Sequence, residues 1–122
     1  MAQILLLDDD AAVCDLVPAF LQDLHTVTVV SNWTEITRQI FHHDFDLVLL
    51  DVNLPVVSGD KIAEVLRKTT TKPLNIALFS SMDEEALSKL ADTVGANGYI
   101  VKTLEKRVLR SRISKFLEPR AG

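Results

Sequence analysis

Five residues of this chain have the types and positions to do chemistry together: Asp8, Asp9, Asp51, Ser80 and Lys102. Each ends an apolar run. Asp8 and Asp9 follow Ile4-Leu5-Leu6-Leu7, Asp51 follows Leu47-Val48-Leu49-Leu50, Ser80 follows Ile76-Ala77-Leu78-Phe79, and Lys102 follows Gly98-Tyr99-Ile100-Val101. Such runs read as parallel strands covered on both faces. A carboxylate gains nothing from ending a buried strand unless a partner waits there. Two unit charges about 4 Å apart repel by about 4 kcal/mol at an effective dielectric of ~20, so three carboxylates in one crevice must raise a pKa, separate or recruit a cation. All-oxygen ligands suit Mg²⁺, a hard cation that keeps several waters and accepts phosphate oxygens. The Ser80 hydroxyl and the Lys102 ammonium are matched to phosphate. Alone, Ser80 reads as a turn residue and Lys102 as a solvated lysine. The joint pattern is what points to a phosphate-handling site.

That pattern requires elements that bring the strand ends together. Apolar runs predict strands at 3–8, 26–30, 46–50, 75–80 and 98–102, alternating with helical patterns at 10–23, 33–43, 59–69, 83–94 and 104–118. Strict alternation predicts a parallel sheet with helices on both faces. In such sheets ligands bind beyond the carboxyl ends of the strands, where strand order reverses. Asp10 reads as the cap of the first helix. Asn32-x-x-Glu35 and Ser81-x-x-Glu84 read as capping boxes. Gly95 and Gly98 bracket a turn that calls for unusual backbone angles. Leu109, Ile113, Phe116 and Leu117 form one apolar stripe on the last helix. Pro18 predicts a kink or an early break in the first helix. Pro55 and Gly59 predict an irregular loop after Asp51 whose carbonyls face the crevice.

The bulk properties set bounds. With 122 residues, 48% of them hydrophobic, the chain can build one well-buried domain, and two would not fit. Net charge is -4, divided as +4 over residues 103–122 and -8 over the rest. That balance gives no general pull toward nucleic acid or an acidic membrane. The basic face of the last helix, without an aromatic platform, reads as a solvated face or a protein interface. Cys14 is the single cysteine, so an internal disulfide is excluded and a reducing, cytoplasmic setting is expected. Cys14 itself reads as a small packing residue. Trp33 is expected to cover the edge of the core, and His42-His43 reads as solvated or capping.

With these residues in view, the whole chain resembles the receiver domain of bacterial two-component response regulators. The matching motifs are Ile4-Leu5-Leu6-Leu7-Asp8-Asp9-Asp10, the Asp51-x-x-x-Pro55-x-x-x-Gly59 loop, Ser80, and Gly95-Ala96-Asn97-Gly98-Tyr99-Ile100-Val101-Lys102. The resemblance implies a flavodoxin-like (βα)5 fold, a doubly wound three-layer α/β/α sandwich with strand order 2-1-3-4-5. It implies one receiver domain over 1–122, with no output domain. It implies that Asp51 is the phosphoacceptor for a histidine kinase or phosphotransfer protein. Asp8, Asp9, Asp51 and the main-chain carbonyl of Asn53 would hold Mg²⁺, Asp8 through water. Lys102 would pair with the phosphoryl group, Ser80 would bond it, and Tyr99 would follow Ser80 as the switch aromatic. An effector or a second copy would then meet the surface of the fourth helix, fifth strand and fifth helix. On this reading the chain is a signalling switch and not an enzyme acting on other substrates.

The sequence departs from the family pattern at three points. Thr103 follows Lys102 where proline with a cis bond is usual. A non-proline cis bond costs ~2.5–4 kcal/mol, so this loop is expected to be either trans and rearranged or strained. Ser81 adds a second hydroxyl beside Ser80. Met82 places an apolar side chain where water would be activated, which predicts slow autodephosphorylation. Thr103 also motivates an alternative reading, a pseudo-receiver that binds partners without being phosphorylated. A phosphatase of the haloacid dehalogenase type would need a second acid at position 53, which is Asn53. A dinucleotide-binding domain would need a G-x-G-x-x-G after the first strand, which is absent.

Overall fold

Runs of Leu, Ile and Val that are apolar at every position have no face to offer water, so their strands must lie inside the molecule. The computed structural model describes residues 1–53, 59–69 and 74–118, with backbone alone at 59, 60 and 69. Its elements alternate as β1 (Gln3–Leu7), α1 (Ala11–Leu21), β2 (Thr26–Val30), α2 (Trp33–His42), β3 (Leu47–Asp51), α3 (Gly59–Thr69), β4 (Ile76–Ser80), α4 (Glu84–Val94), β5 (Gly98–Val101) and α5 (Lys106–Leu117). All four strand pairings are parallel, in the order β2-β1-β3-β4-β5. The fold is the flavodoxin-like, doubly wound α/β/α sandwich expected from the sequence.

Because side chains alternate across a strand, each run feeds two cores. Leu5, Leu7, Val48, Leu50, Ile76 and Leu78 pack with residues of α2, α3 and α4, including Ile36, Ile62 and Leu87. Ile4, Leu6, Leu47, Leu49, Ala77 and Phe79 pack with Val13, Val17 and Leu21 of α1 and Leu109 and Ile113 of α5. Trp33 is partly buried at the margin of the first core, as expected. Strand order reverses between β1 and β3, and their register sets Leu7 beside Leu50. The next residues out, Asp8 and Asp51, therefore emerge at one level.

Several local expectations change. Pro18 lies inside α1, which continues unbroken to Leu21. A mid-helix proline costs about 3 kcal/mol. Burying a Val or Leu side chain returns roughly 1.5–3 kcal/mol. Val17 and Leu21, 3% and 0% exposed, outweigh the lost hydrogen bond and carry the helix through. At α4 the cap is Asp83, whose Oδ2 accepts the Ala86 N–H at 3.2 Å, and not Ser81. The Met82 N–H turns onto Ser80 Oγ at 3.1 Å, which delays helix entry by two residues. At α2, Asn32 Oδ1 accepts the Glu35 N–H at 2.9 Å as expected, but Glu35 Oε2 reaches back one residue further, to the Ser31 N–H at 3.2 Å. Asp10 caps α1 through the Ala12 and Val13 N–H groups. Of the two glycines only Gly95 is left-handed, with φ 77°. Gly98 serves close approach instead, since an added Cβ would stand 2.9 Å from the Phe116 ring.

Candidate functional site

Three polar side chains are buried among the described residues: Asp8, Asp51 and Ser80, at 0%, 2% and 0% exposure. All three stand at the carboxyl ends of β1, β3 and β4, the crevice where strand order reverses. Asp8 Oδ1 accepts the Asp10 N–H at 2.9 Å. Asp51 Oδ1 accepts the Asn53 N–H at 3.1 Å. Each carboxylate is thus fixed by the backbone two residues on, an arrangement that Asp side chains favour at turns. Exposed Asp9 completes the group, with one oxygen from each of Asp8, Asp9 and Asp51 lying within 4.8 Å of the others.

Lys102 reaches this crevice from β5. The Lys102 N–H donates to the Ser80 carbonyl at 2.8 Å, extending the β4–β5 ladder by one step. Its ammonium lies 3.0 Å from Asp8 Oδ2 and 3.1 Å from Asp51 Oδ1. On the way it passes 5.5 Å from the centroid of the Phe79 ring, whose face attracts a cation. The described peptide bonds are all trans, so Thr103 does not prevent this reach.

The electrostatics follow from crowding. Burial pushes the Asp8 carboxyl above its ordinary value of 3.8, the Asp10 N–H and Lys102 pull it down in part, and the Asp51 charge raises it further. Burial pulls the Lys102 ammonium down, but hydrogen bonds and charge from Asp8 and Asp51 more than offset this and hold it above 10.5. Lys102 thus remains a cation at neutral pH. Three carboxylates against one ammonium leave negative charge unbalanced. Asp8 Oδ2 is moreover buried, and the Lys102 ammonium at 3.0 Å is the one group among the described residues that meets its charge. A hard divalent cation fits this deficit.

Not every expected residue joins the cluster. Ser80 Oγ accepts the Met82 N–H at the mouth of the crevice. The Tyr99 hydroxyl donates to Glu84 Oε1 at 3.1 Å, on the outer side of α4. Hydrogen bonding to Glu84 raises its pKa above 10, helped by burial and the Glu84 charge. Asn53 is exposed, and its amide faces Asp51. The segment from Pro55, expected to bring carbonyls to the crevice, lies outside the described residues. Two residues have roles beyond their sequence reading. Cys14, read as packing, donates its thiol to the Asp8 carbonyl at 3.3 Å and ties α1 to the end of β1. Glu84, read as half of a capping box, holds Tyr99 instead. Neither had a sequence signal, because each contact depends on helix placement across the sheet.

Between α4, β5 and α5 runs a groove of about 460 Å³ lined by Glu84, Tyr99, Val101, Arg112, Lys115 and Phe116 among others. No helix is long and apolar enough to cross a membrane among the described residues.

The site is thus an acidic one, at the reversal point of a parallel α/β sheet, with three carboxylates opposed by a lysine. The family model described as "Response regulator receiver domain" matches residues 4–114, and the chain belongs to that family. It is 36% identical over 115 residues to the transcriptional regulatory protein RstA of Escherichia coli, covering 93% of this chain and 47% of that protein. Regulatory protein VanRB of Enterococcus faecalis is 28% identical over 116 residues, with 94% and 52% covered. The chain spans about half the length of these curated relatives. Among solved structures it is similar to the chemotaxis response regulator CheY4 of Vibrio cholerae, with TM-score 0.83, 25% identity, and 96% and 99% of the two chains covered. It also resembles the N-terminal domain of the nisin resistance regulator NsrR, with TM-score 0.80, 28% identity, and 97% and 99% covered. The chain is therefore a receiver domain of a two-component signalling switch, a family whose acidic pocket binds Mg²⁺ and whose members partner histidine kinases.

Proposed function

We propose that this chain takes a phosphoryl group from a histidine kinase or phosphotransfer protein onto Asp51 and thereby changes a protein-binding surface. The observation that carries this reading is the position of Lys102, whose one ammonium stands against both Asp8 and Asp51 beside exposed Asp9. In the step itself an Asp51 carboxylate oxygen attacks the donor phosphorus. A P–O bond forms to Asp51, the P–N bond to the donor histidine breaks, and its electron pair returns to the imidazole. Lys102 neutralises charge on the phosphoryl oxygens, which is the main work in such a transfer. Asp8, Asp9, Asp51 and the Asn53 carbonyl are the residues to hold Mg²⁺, which when bound supplies further neutralisation of those oxygens.

Ser80 then meets the arriving phosphoryl group with its hydroxyl, giving up the Met82 N–H contact. Tyr99 responds by leaving Glu84 for the space beside Ser80. That exchange alters the α4–β5–α5 groove, the surface assigned to an effector protein or a second copy of the chain. The residues Glu84, Tyr99, Arg112 and Lys115 give it mixed charge, which favours a protein over nucleic acid. With Met82 partly buried against the core, no acid or amide there activates water, and the acyl phosphate is long-lived. The pseudo-receiver alternative rested on Thr103, and it loses that support because Lys102 meets both carboxylates. The chain acts in this reading as a cytoplasmic signalling switch.

The test is intact-mass measurement after incubation with Mg²⁺ and acetyl phosphate, with Asp51→Asn alongside. A phosphoryl-sized gain is expected that chelator and the substitution both abolish. No gain, together with no spectral response to Mg²⁺ plus beryllofluoride, would overturn the reading in favour of a pseudo-receiver.

A further inference from the structure

The loop that delivers Lys102 is tied on both sides, and the second tie is a side chain. Behind the lysine, its own N–H donates to the Ser80 carbonyl at 2.8 Å. Ahead of it, the Glu105 N–H donates to Thr103 Oγ1 at 3.1 Å. Glu105 is the cap residue of α5, yet its side chain makes no capping hydrogen bond. Thr103 therefore supplies the side-chain acceptor at the entrance to this helix. A threonine hydroxyl that accepts from the amide two residues on closes a turn by itself, in the manner of a backbone turn. The helix then begins at once, with the Leu109 N–H on the Glu105 carbonyl at 3.0 Å.

Packing holds this loop only in part. Leu104, between the two partners of the turn, is 65% exposed. Hydrogen bonds set the loop's direction: these two, and Arg112 Nη1 on the Val101 carbonyl at 2.7 Å just before the lysine. Lys102 needs that direction, because a flexible four-carbon stem must cross Phe79 to set one ammonium against two buried carboxylates.

We propose that Thr103 is a positioning residue: by accepting the Glu105 N–H, its hydroxyl sets the direction in which Lys102 leaves β5 and so places the ammonium between Asp8 and Asp51. The geometry stands on its own, while the effect on rate rests on the phosphoryl-transfer reading above. A valine at 103 keeps the shape and loses the acceptor. The Glu105 N–H then turns to water at the surface, the fold survives, and the lysine loses its aim. Small losses of aim cost rate because the ammonium acts through distance and orientation.

The test is a double-mutant cycle read by the rate of phosphoryl uptake from acetyl phosphate, with Thr103→Val, Thr103→Ser, Lys102→Ala and the double variant Thr103→Val with Lys102→Ala. Thr103→Val is expected to slow uptake about five-fold, in keeping with the loss of one orienting hydrogen bond. Thr103→Ser restores the wild-type rate, and Thr103→Val adds no further loss once Lys102 is alanine. A wild-type rate in Thr103→Val overturns the proposal, as does the same loss in both Lys102 backgrounds, which would mark a general structural effect. A second readout needs no phosphoryl transfer. In side-chain nitrogen spectra the Lys102 signal should move toward that of a solvated lysine in Thr103→Val, and a signal left in place overturns the proposal. If the wild-type chain takes up no phosphoryl group, the functional reading falls, and this spectrum alone decides the role of Thr103.

Discussion

The two ends of the sheet use polar residues in opposite ways. At the amino ends of the strands, polar side chains close on backbone. Asp46 Oδ2 accepts the Gln3 N–H and the Asp46 N–H returns to the Gln3 carbonyl, both at 2.7 Å. His25 Nδ1 accepts the Ala2 N–H at 3.1 Å, and Asn97 Oδ1 accepts the Ile76 N–H at 2.9 Å. At the carboxyl ends, charged side chains face one another, with three carboxylates against one ammonium. A buried oxygen without a hydrogen bond occurs at both ends, Asn75 Oδ1 and Asp8 Oδ2, so charge and not hydrogen bonding separates them. Groups closed on backbone secure strand ends, whereas groups in surplus charge retain capacity to bind. A polar residue at a strand end therefore acquires meaning from what it faces, and its type alone does not decide.

The largest effect expected from breaking this contrast is Asp51→Asn, which abolishes phosphoryl uptake in the intact-mass assay while the chain remains folded by circular dichroism. Next, Mg²⁺ should stabilise the wild type by about 1.4 kcal/mol at roughly ten times its dissociation constant, read as a rise in thermal midpoint. The Asp51→Asn protein should gain less. Asp46→Ala, at the other end, should behave in reverse. It is expected to lose about 1 kcal/mol of stability, or about 4 °C in midpoint, with phosphoryl uptake unchanged. Uptake that falls in Asp46→Ala would erase the distinction between the ends.

Two smaller effects sharpen it. In Glu84→Gln the chain's single tyrosine should titrate closer to 10 than in the wild type, because its hydrogen-bonded carboxylate is gone. Phenolate absorbance against pH measures this directly, and an unchanged titration would separate Tyr99 from Glu84. The last effect is at His25, whose pKa burial and the N-terminal charge hold below 6.5. The folded chain resists a proton that the unfolded chain accepts. Its contribution to stability is complete above pH 6.5 and is lost as pH falls through that value toward the lower folded pKa. Denaturant midpoints at pH 7.5 and 5.5 should differ less in His25→Asn than in the wild type.

Much of this was legible in the residues. Unbroken apolar runs mark strands buried on both faces, and their last residues name the crevice, so Asp8, Asp9, Asp51, Ser80 and Lys102 could be read together. What escaped was decided by competition between nearby groups or by distance across the sheet. Ser81 and Asp83 are both good caps, and a turn onto Ser80 chose between them. Pro18 opposes a helix in isolation, but Val17 and Leu21 are buried by elements far along the chain. The pairing of Tyr99 with Glu84 spans the β5–α4 packing, which no local pattern encodes. Thr103 stood out as a departure, while its hydrogen bond to Glu105 became visible only with the loop in place.

The attachment of α5 carries one more consequence. The Phe116 ring rests on Gly98, and Arg112 Nη1 donates to the Val101 carbonyl at 2.7 Å. These residues are one helical turn apart and share a face, so α5 is fastened to β5 at two points. Arg107, Ser111 and Ser114 are exposed and carry none of this attachment. Their charge and size can therefore change while the fastening of helix to strand stays intact.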